Sequence, residues 1–137
     1  MGSILLVNSE KNIYGNVQQK MIANGYECFI CDGVNAAEML EKTAAELVLL
    51  YSDEQKKDIR LLMQLRTVKY DVLVIVIGKM NRVEDKIQWL DNGACDCIDV
   101  SISEGEVLAR IHAALRRFRS NKARENGILH QGKRRFE

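Results

Sequence analysis

An open, doubly wound α/β sheet of five parallel strands is the fold class predicted by three features of the sequence. Apolar runs at residues 4–7, 47–50 and 72–77 read as strands buried on both faces. Segments with apolar residues at helical spacing lie between them. The two signals alternate five times in about 115 residues, as a parallel sheet with helices on both faces requires.

The first run is followed by Ile13, Val17 and Met21 at helical spacing, and Asn24-Gly25 closes that helix. Residues 27–31 form the second strand, and Asp32-Gly33 turns into a helix carrying Ala36, Ala37, Met39 and Leu40. The third strand starts at Glu46 and is followed by a helix over 55–67, with Ile59, Leu62 and Leu65, or Leu61 and Leu65, facing inward. After the fourth strand, Asn81 is the expected N-cap of a helix in which Val83, Ile87 and Leu90 repeat before Asn92-Gly93. The fifth strand is short, 95–99. The fifth helix begins near Ser103, with Glu106 placed as in a capping box and Val107, Leu108, Ile111 and Leu115 inward. Five such units predict a flavodoxin-like sheet of order 2-1-3-4-5.

In this fold the working site lies beyond the carboxyl ends of the central strands. Those ends read Asn8-Ser9, Tyr51 and Gly78, and none is charged.

At 137 residues, 47% apolar and 28% charged, the chain is long enough for one core without disulfides or metal. No stretch approaches the roughly 20 apolar residues of a membrane span, and the start lacks a secretory pattern. A cytoplasmic protein without membrane contact is expected. Net charge is +1, but residues from Arg116 onward hold eight Lys and Arg against Glu125 and Glu137, a balance of +6, leaving −5 for residues 1–115. The basic end reads as a solvated helix end and linker, with nucleic-acid contact as the alternative.

Cys28 and Cys31 are three apart on a strand and so face opposite ways, whereas Cys95 and Cys97 are expected to share a face. His112 and His130 are isolated, so no metal site and no cofactor are expected.

The runs ILLVNSE (4–10), AELVLLY (45–51), VEDKIQWLDNGACDCI (83–98) and EVLARIHAALRR (106–117) together resemble a response-regulator receiver domain, the CheY-like fold. The last two resemble the OmpR/PhoB subfamily. The resemblance covers residues 3–117 and implies a receiver over 1–117 followed by a basic linker over 118–137.

It also implies where phosphorylation chemistry would sit. The two acids that hold Mg²⁺ in the family correspond to Asn8 and Ser9, the phospho-accepting Asp to Tyr51, the phosphoryl-binding Thr or Ser to Gly78, and the Lys after the fifth strand to Val100. The aromatic switch residue corresponds to Cys97. Mg²⁺ needs carboxylates, and Asn8 and Ser9 offer neutral oxygens, with only Glu10 and Asp53 nearby in sequence. Tyr51 is a phenol, neutral at pH 7, and is expected to fill the phosphoryl pocket. Val100-Ser101 stands where the family has Lys-Pro, and a cis bond there would cost about 3 to 4 kcal/mol, so trans is expected. The degenerate site implies an atypical, non-enzymatic receiver.

The surface used for dimerisation in that subfamily, from the fourth helix to the fifth, is kept. Lys86 is expected to meet Glu106 of a partner and Asp96 to meet Arg110, around Ile87, Leu90 and Ala109 or Ala113, with Trp89 exposed beside them. The resemblance therefore implies a phosphorylation-independent homodimer that positions a DNA-binding winged-helix domain, which needs about 100 residues beyond this chain. The alternative is a stand-alone module acting by protein-protein interaction that senses a ligand at Tyr51 or oxidation at Cys95 and Cys97.

Overall fold

The computed structural model describes residues 2–9 and 16–131, with side chains followed to Arg124. Ile13, Glu10 and the basic residues 133–135 lie outside that range.

The strands are β1 (Ser3–Val7), β2 (Glu27–Cys31), β3 (Leu47–Tyr51), β4 (Leu73–Gly78) and β5 (Asp96–Asp99). They are parallel and ordered β2-β1-β3-β4-β5, as predicted. The helices are α1 (Val17–Ala23), α2 (Ala36–Thr43), α3 (Gln55–Val68), α4 (Val83–Asp91) and α5 (Glu104–Gln131).

Strand alternation sends the apolar runs to two cores, because successive side chains leave opposite faces of a strand. Leu5, Val7, Val48, Leu50, Val74 and Val76 pack with Leu40 of α2, Ile59, Leu62 and Leu65 of α3, and Trp89 of α4. Ile4, Leu6, Leu49, Tyr51, Ile75 and Ile77 pack with Met21 of α1 and Val107, Ile111 and Leu115 of α5. Full burial of one such side chain contributes about 1.5 to 3 kcal/mol, so the central strands are the most firmly held part of the molecule.

Three local expectations are corrected. The N-cap of α4 is Arg82, not Asn81: the Asp85 carboxylate accepts from the Arg82 backbone N–H at 3.2 Å and from its guanidinium at 2.9 Å. The repeat Val83, Ile87, Leu90 is the outward stripe of α4, and the residue that anchors this helix is Trp89, 1% exposed. Cys95 packs in the α1/α5 core and Cys97 in the α3/α4 core, so they do not share a face. Cys95 precedes β5, where strand alternation does not apply.

The basic end is not simply a solvated linker. α5 continues well past Phe118, and its extension is pinned to the amino-terminal edge of the sheet. Arg119 donates to the Tyr26 hydroxyl at 3.1 Å and to Glu46 at 3.0 Å, and lies over the Tyr26 ring, while Lys122 pairs with Asp71 at 2.8 Å. Apolar periodicity stops here because hydrogen bonds and ion pairs hold this part of the helix.

Candidate functional site

The carboxyl ends of β1, β3, β4 and β5 converge on two adjoining clefts. Asn8 ends β1 with φ +61°, a left-handed conformation that Asn tolerates better than most residues. Its side-chain oxygen accepts from Gly33 N–H at 3.1 Å, and its side-chain amide approaches the Tyr51 carbonyl at 3.5 Å. The carboxamide thus bridges the turn after β2 and the end of β3.

Tyr51, 4% exposed, turns its ring into the α1/α5 core with Ile77 and Ile98. It does not fill the space beyond the sheet: a cleft of about 390 Å³ remains, lined by Tyr51, Gly78 and Val100 together with Asp53, Lys79 and Trp89. Beside it lies a cleft of about 380 Å³ that takes in Asn8, Asp32, Lys57 and Arg60, with Asp53 bordering both. The structure therefore brings Tyr51, Gly78 and Val100 together and sets Asn8 next door. Ser9 lines neither cleft.

Gly78 has a steric reason. Ser52 N–H donates to the Ile77 carbonyl at 2.8 Å, and this crossing brings the Ser52 carbonyl over the Gly78 Cα. A Cβ at position 78 would lie 2.7 Å from that oxygen. The Ser52 hydroxyl in turn donates to Asp58 at 2.7 Å, and Asp58 is buried in α3. Ser52 and Asp58 were not singled out from sequence, where they look like an ordinary helix approach.

Asp99 is the other residue that sequence reasoning missed. Its carboxylate accepts from Met80 N–H at 2.9 Å and from the backbone and hydroxyl of Ser101, joining the loop after β4 to the loop after β5. The Ser101 hydroxyl, then the backbone donors, hold its carboxyl below the usual range. A D-x-S sequence at a strand end is the available signal, since Asp commonly bonds its own backbone two residues on. No peptide bond among the described residues is cis, Val100-Ser101 included.

The two positions at which the resemblance would place Mg²⁺, Asn8 and Ser9, carry no carboxylate, the ligand this ion requires. The Asn8 oxygen already accepts from Gly33 and Asp58 is occupied by Ser52. Among the described residues no three His, Cys, Asp or Glu are grouped to hold a metal ion.

The chain is 29% identical over 125 residues to the response regulator MprA of Mycobacterium leprae, covering 90% of this chain and 55% of that protein. It is 32% identical over 118 residues to the transcriptional regulatory protein VxrB of Vibrio cholerae, covering 83% of this chain and 46% of that one. The receiver domain of a Francisella response regulator superposes with a TM-score of 0.73 at 22% identity, over 85% of this chain and 98% of that domain. This chain is a homologue of the response regulators and has the receiver fold. No family model matches it, and it spans about half the length of the curated relatives it matches.

On the face formed by α4, β5 and α5, Arg110 has partners in its own chain. Arg110 bonds both Asp96 oxygens at 3.1 Å and Glu106 at 2.9 Å within one chain. Lys86 is exposed, as are Ala109, Ile87 (49%) and Leu90 (46%); Ala113 is half-buried and Trp89 is not on the surface.

The receiver's thiols are held in the protonated form. Burial, then Asp96, pushes Cys95 up to about 11; burial, then Asp32, does the same for Cys31. Cys97, the switch-equivalent position, is also raised by burial, and its sulfur lies 3.9 Å from the Lys86 carbonyl. No described helix is long and apolar enough to cross a membrane.

Proposed function

We propose that this chain is a phosphorylation-independent, non-enzymatic receiver of a cytoplasmic transcriptional regulator, dimerising through α4, β5 and α5 to position a winged-helix DNA-binding domain absent from this chain. The observation that carries the reading is the packing at the ends of β3 and β4. Tyr51 stands at the acceptor position as part of the core, and the place of a phosphoryl-binding hydroxyl is taken by the Ser52 carbonyl against Gly78. A carboxylate nucleophile, a divalent ion and cationic stabilisation of the equatorial oxygens are what such transfer needs, and Asn8, Ser9, Gly78 and Val100 supply none.

The outward stripe Ile87 and Leu90 supports the dimer, since apolar burial gives most of the affinity at an interface. Exposed ion pairs contribute only about 0.2 to 1 kcal/mol each. With Arg110 already bound to Asp96 and Glu106 in its own chain, the partner's charges would share or exchange these bonds, and only Lys86 enters as a new cation.

The test is incubation with Mg²⁺ and acetyl phosphate or beryllofluoride. Mass, Trp89 fluorescence and sedimentation are expected to stay unchanged; a covalent phosphoryl adduct defeats the proposal. A second reading, a ligand-sensing module, has the cleft beside Tyr51 in its favour: at about 390 Å³ it is in the size range of small-molecule sites. The thiol version is disfavoured by the raised Cys95 and Cys97 and their placement in different cores.

A further inference from the structure

The six Lys and Arg from Arg110 to Arg124 fall into two groups once α5 is folded. Arg110, Arg119 and Lys122 are held by Asp96, Glu46 and Asp71. Because Leu115, Arg119 and Lys122 face the body of the domain, the helix rotation is set, and positions 116, 117, 120, 121 and 124 form a stripe on the opposite side. Arg116, Arg117 and Arg124 on that stripe are exposed, make no ion pair among the described residues, and border one shallow groove of about 440 Å³ with Ser120 and Asn121.

We propose that this stripe is a contact surface for the phosphate backbone of duplex DNA, an inference that extends the reading of the chain as part of a transcriptional regulator. Arg116 and Arg124 lie about 12 Å apart along the helix at about 1.5 Å per residue. Each strand of duplex DNA carries one charge per about 3.4 Å of axis, so about three to four phosphates of one strand span that length. The stripe has three guanidiniums and two small polar side chains, the groups that commonly contact phosphate and sugar. It has no exposed aromatic or large aliphatic residue to anchor a protein partner, and Val107, Ile111 and Leu115, on the apolar side of α5 among the described residues, are spent on the domain core and not left to enter a lipid surface. The surplus of +6 from Arg116 onward, against −5 before it, orients the chain with this end toward a polyanion.

The test is fluorescence anisotropy of the full chain with a labelled 30-base-pair duplex of mixed sequence, titrated from 50 to 200 mM salt. Three phosphate contacts give a slope of log K against log salt of roughly −2.7, or about a 40-fold loss of affinity over that range. R116A/R117A/R124A, whose alanines favour helix and whose folding is checked by circular dichroism, is expected to abolish most of that dependence, while K133A/R134A/R135A keeps it. The proposal is overturned if the wild-type chain fails to bind at 50 mM salt, if the triple stripe variant binds like wild type, if the tail variant alone removes the slope, or if poly-glutamate or an RNA duplex of equal charge binds more tightly. Sedimentation of the same samples separates this from dimerisation. A monomer with a stripe-dependent slope upholds the contact and rejects the α4/α5 dimer, whereas a dimer with a flat slope does the reverse.

Discussion

The Ser52 carbonyl oxygen lies where a side chain on Gly78 would have to begin, 2.7 Å from the position of its Cβ. The contact is backbone on both sides, so no rotamer change relieves it. Either β4 or the Ser52 peptide must move before any other residue fits.

Gly78→Thr is therefore expected to destabilise the domain by about 1 to 3 kcal/mol, the usual cost of forcing atoms into a packed site. Tyr51→Asp combined with Gly78→Thr is expected not to restore beryllofluoride binding, because Asn8 and Ser9 still offer no carboxylate for the divalent ion and Val100 no cation. Urea unfolding and a fluorescence titration check the two statements; full stability in the single variant would contradict the steric account.

Trp89 and Ile87 are two residues apart on α4 and should fail differently. Trp89→Ala removes a fully buried side chain and is expected to cost about 3 to 5 kcal/mol in chemical unfolding. Ile87→Arg is expected to change stability by less than about 0.5 kcal/mol, as at exposed sites generally, yet to shift sedimentation to monomer. A dimer that survives this substitution removes α4 from the interface.

Asp99 gives a pH signature. Its folded-state pKa is lowered, so its contribution is present above the unfolded value of about 3.9 and is lost as pH falls through the lower folded value. Asp99→Asn is expected to flatten stability against pH below about pH 4 by less than about 1 kcal/mol, a small effect because water reaches the carboxylate and screens it. Thermal melts from pH 2 to 6 on wild type and variant measure it; identical acid limbs would show that the loop tie contributes nothing.

Arg119→Ala should loosen the end of α5 without harming the core. It deletes the bonds to Tyr26 and Glu46, worth about 0.5 to 1.5 kcal/mol each for ordinary hydrogen bonds. Amide exchange is expected to accelerate at residues 118–124 and to stay unchanged at 107–115. Tyr26→Phe, which removes one of the two bonds, is expected to give a smaller change at the same amides.

Much of this molecule was legible in one dimension. The unbroken burial of Leu47–Tyr51 and the 3.6-residue spacing in α3 and α5 are local consequences of which atoms must leave water, so the elements and most of the core were readable from the pattern. The identities at the strand ends also carried the absence of acids at 8, 9, 51, 78 and 100. Tertiary structure alone decided the rest, because those facts depend on approach between distant segments: Gly78 against Ser52, the Asn8 bridge to Gly33, Arg110 bonding inside its own chain, and the rotation of α5 set by Arg119 and Lys122. Sequence spacing says which face of an element is apolar; only packing says whether an outward Ile87 is surface, whether Trp89 is core, and which arginines remain facing water.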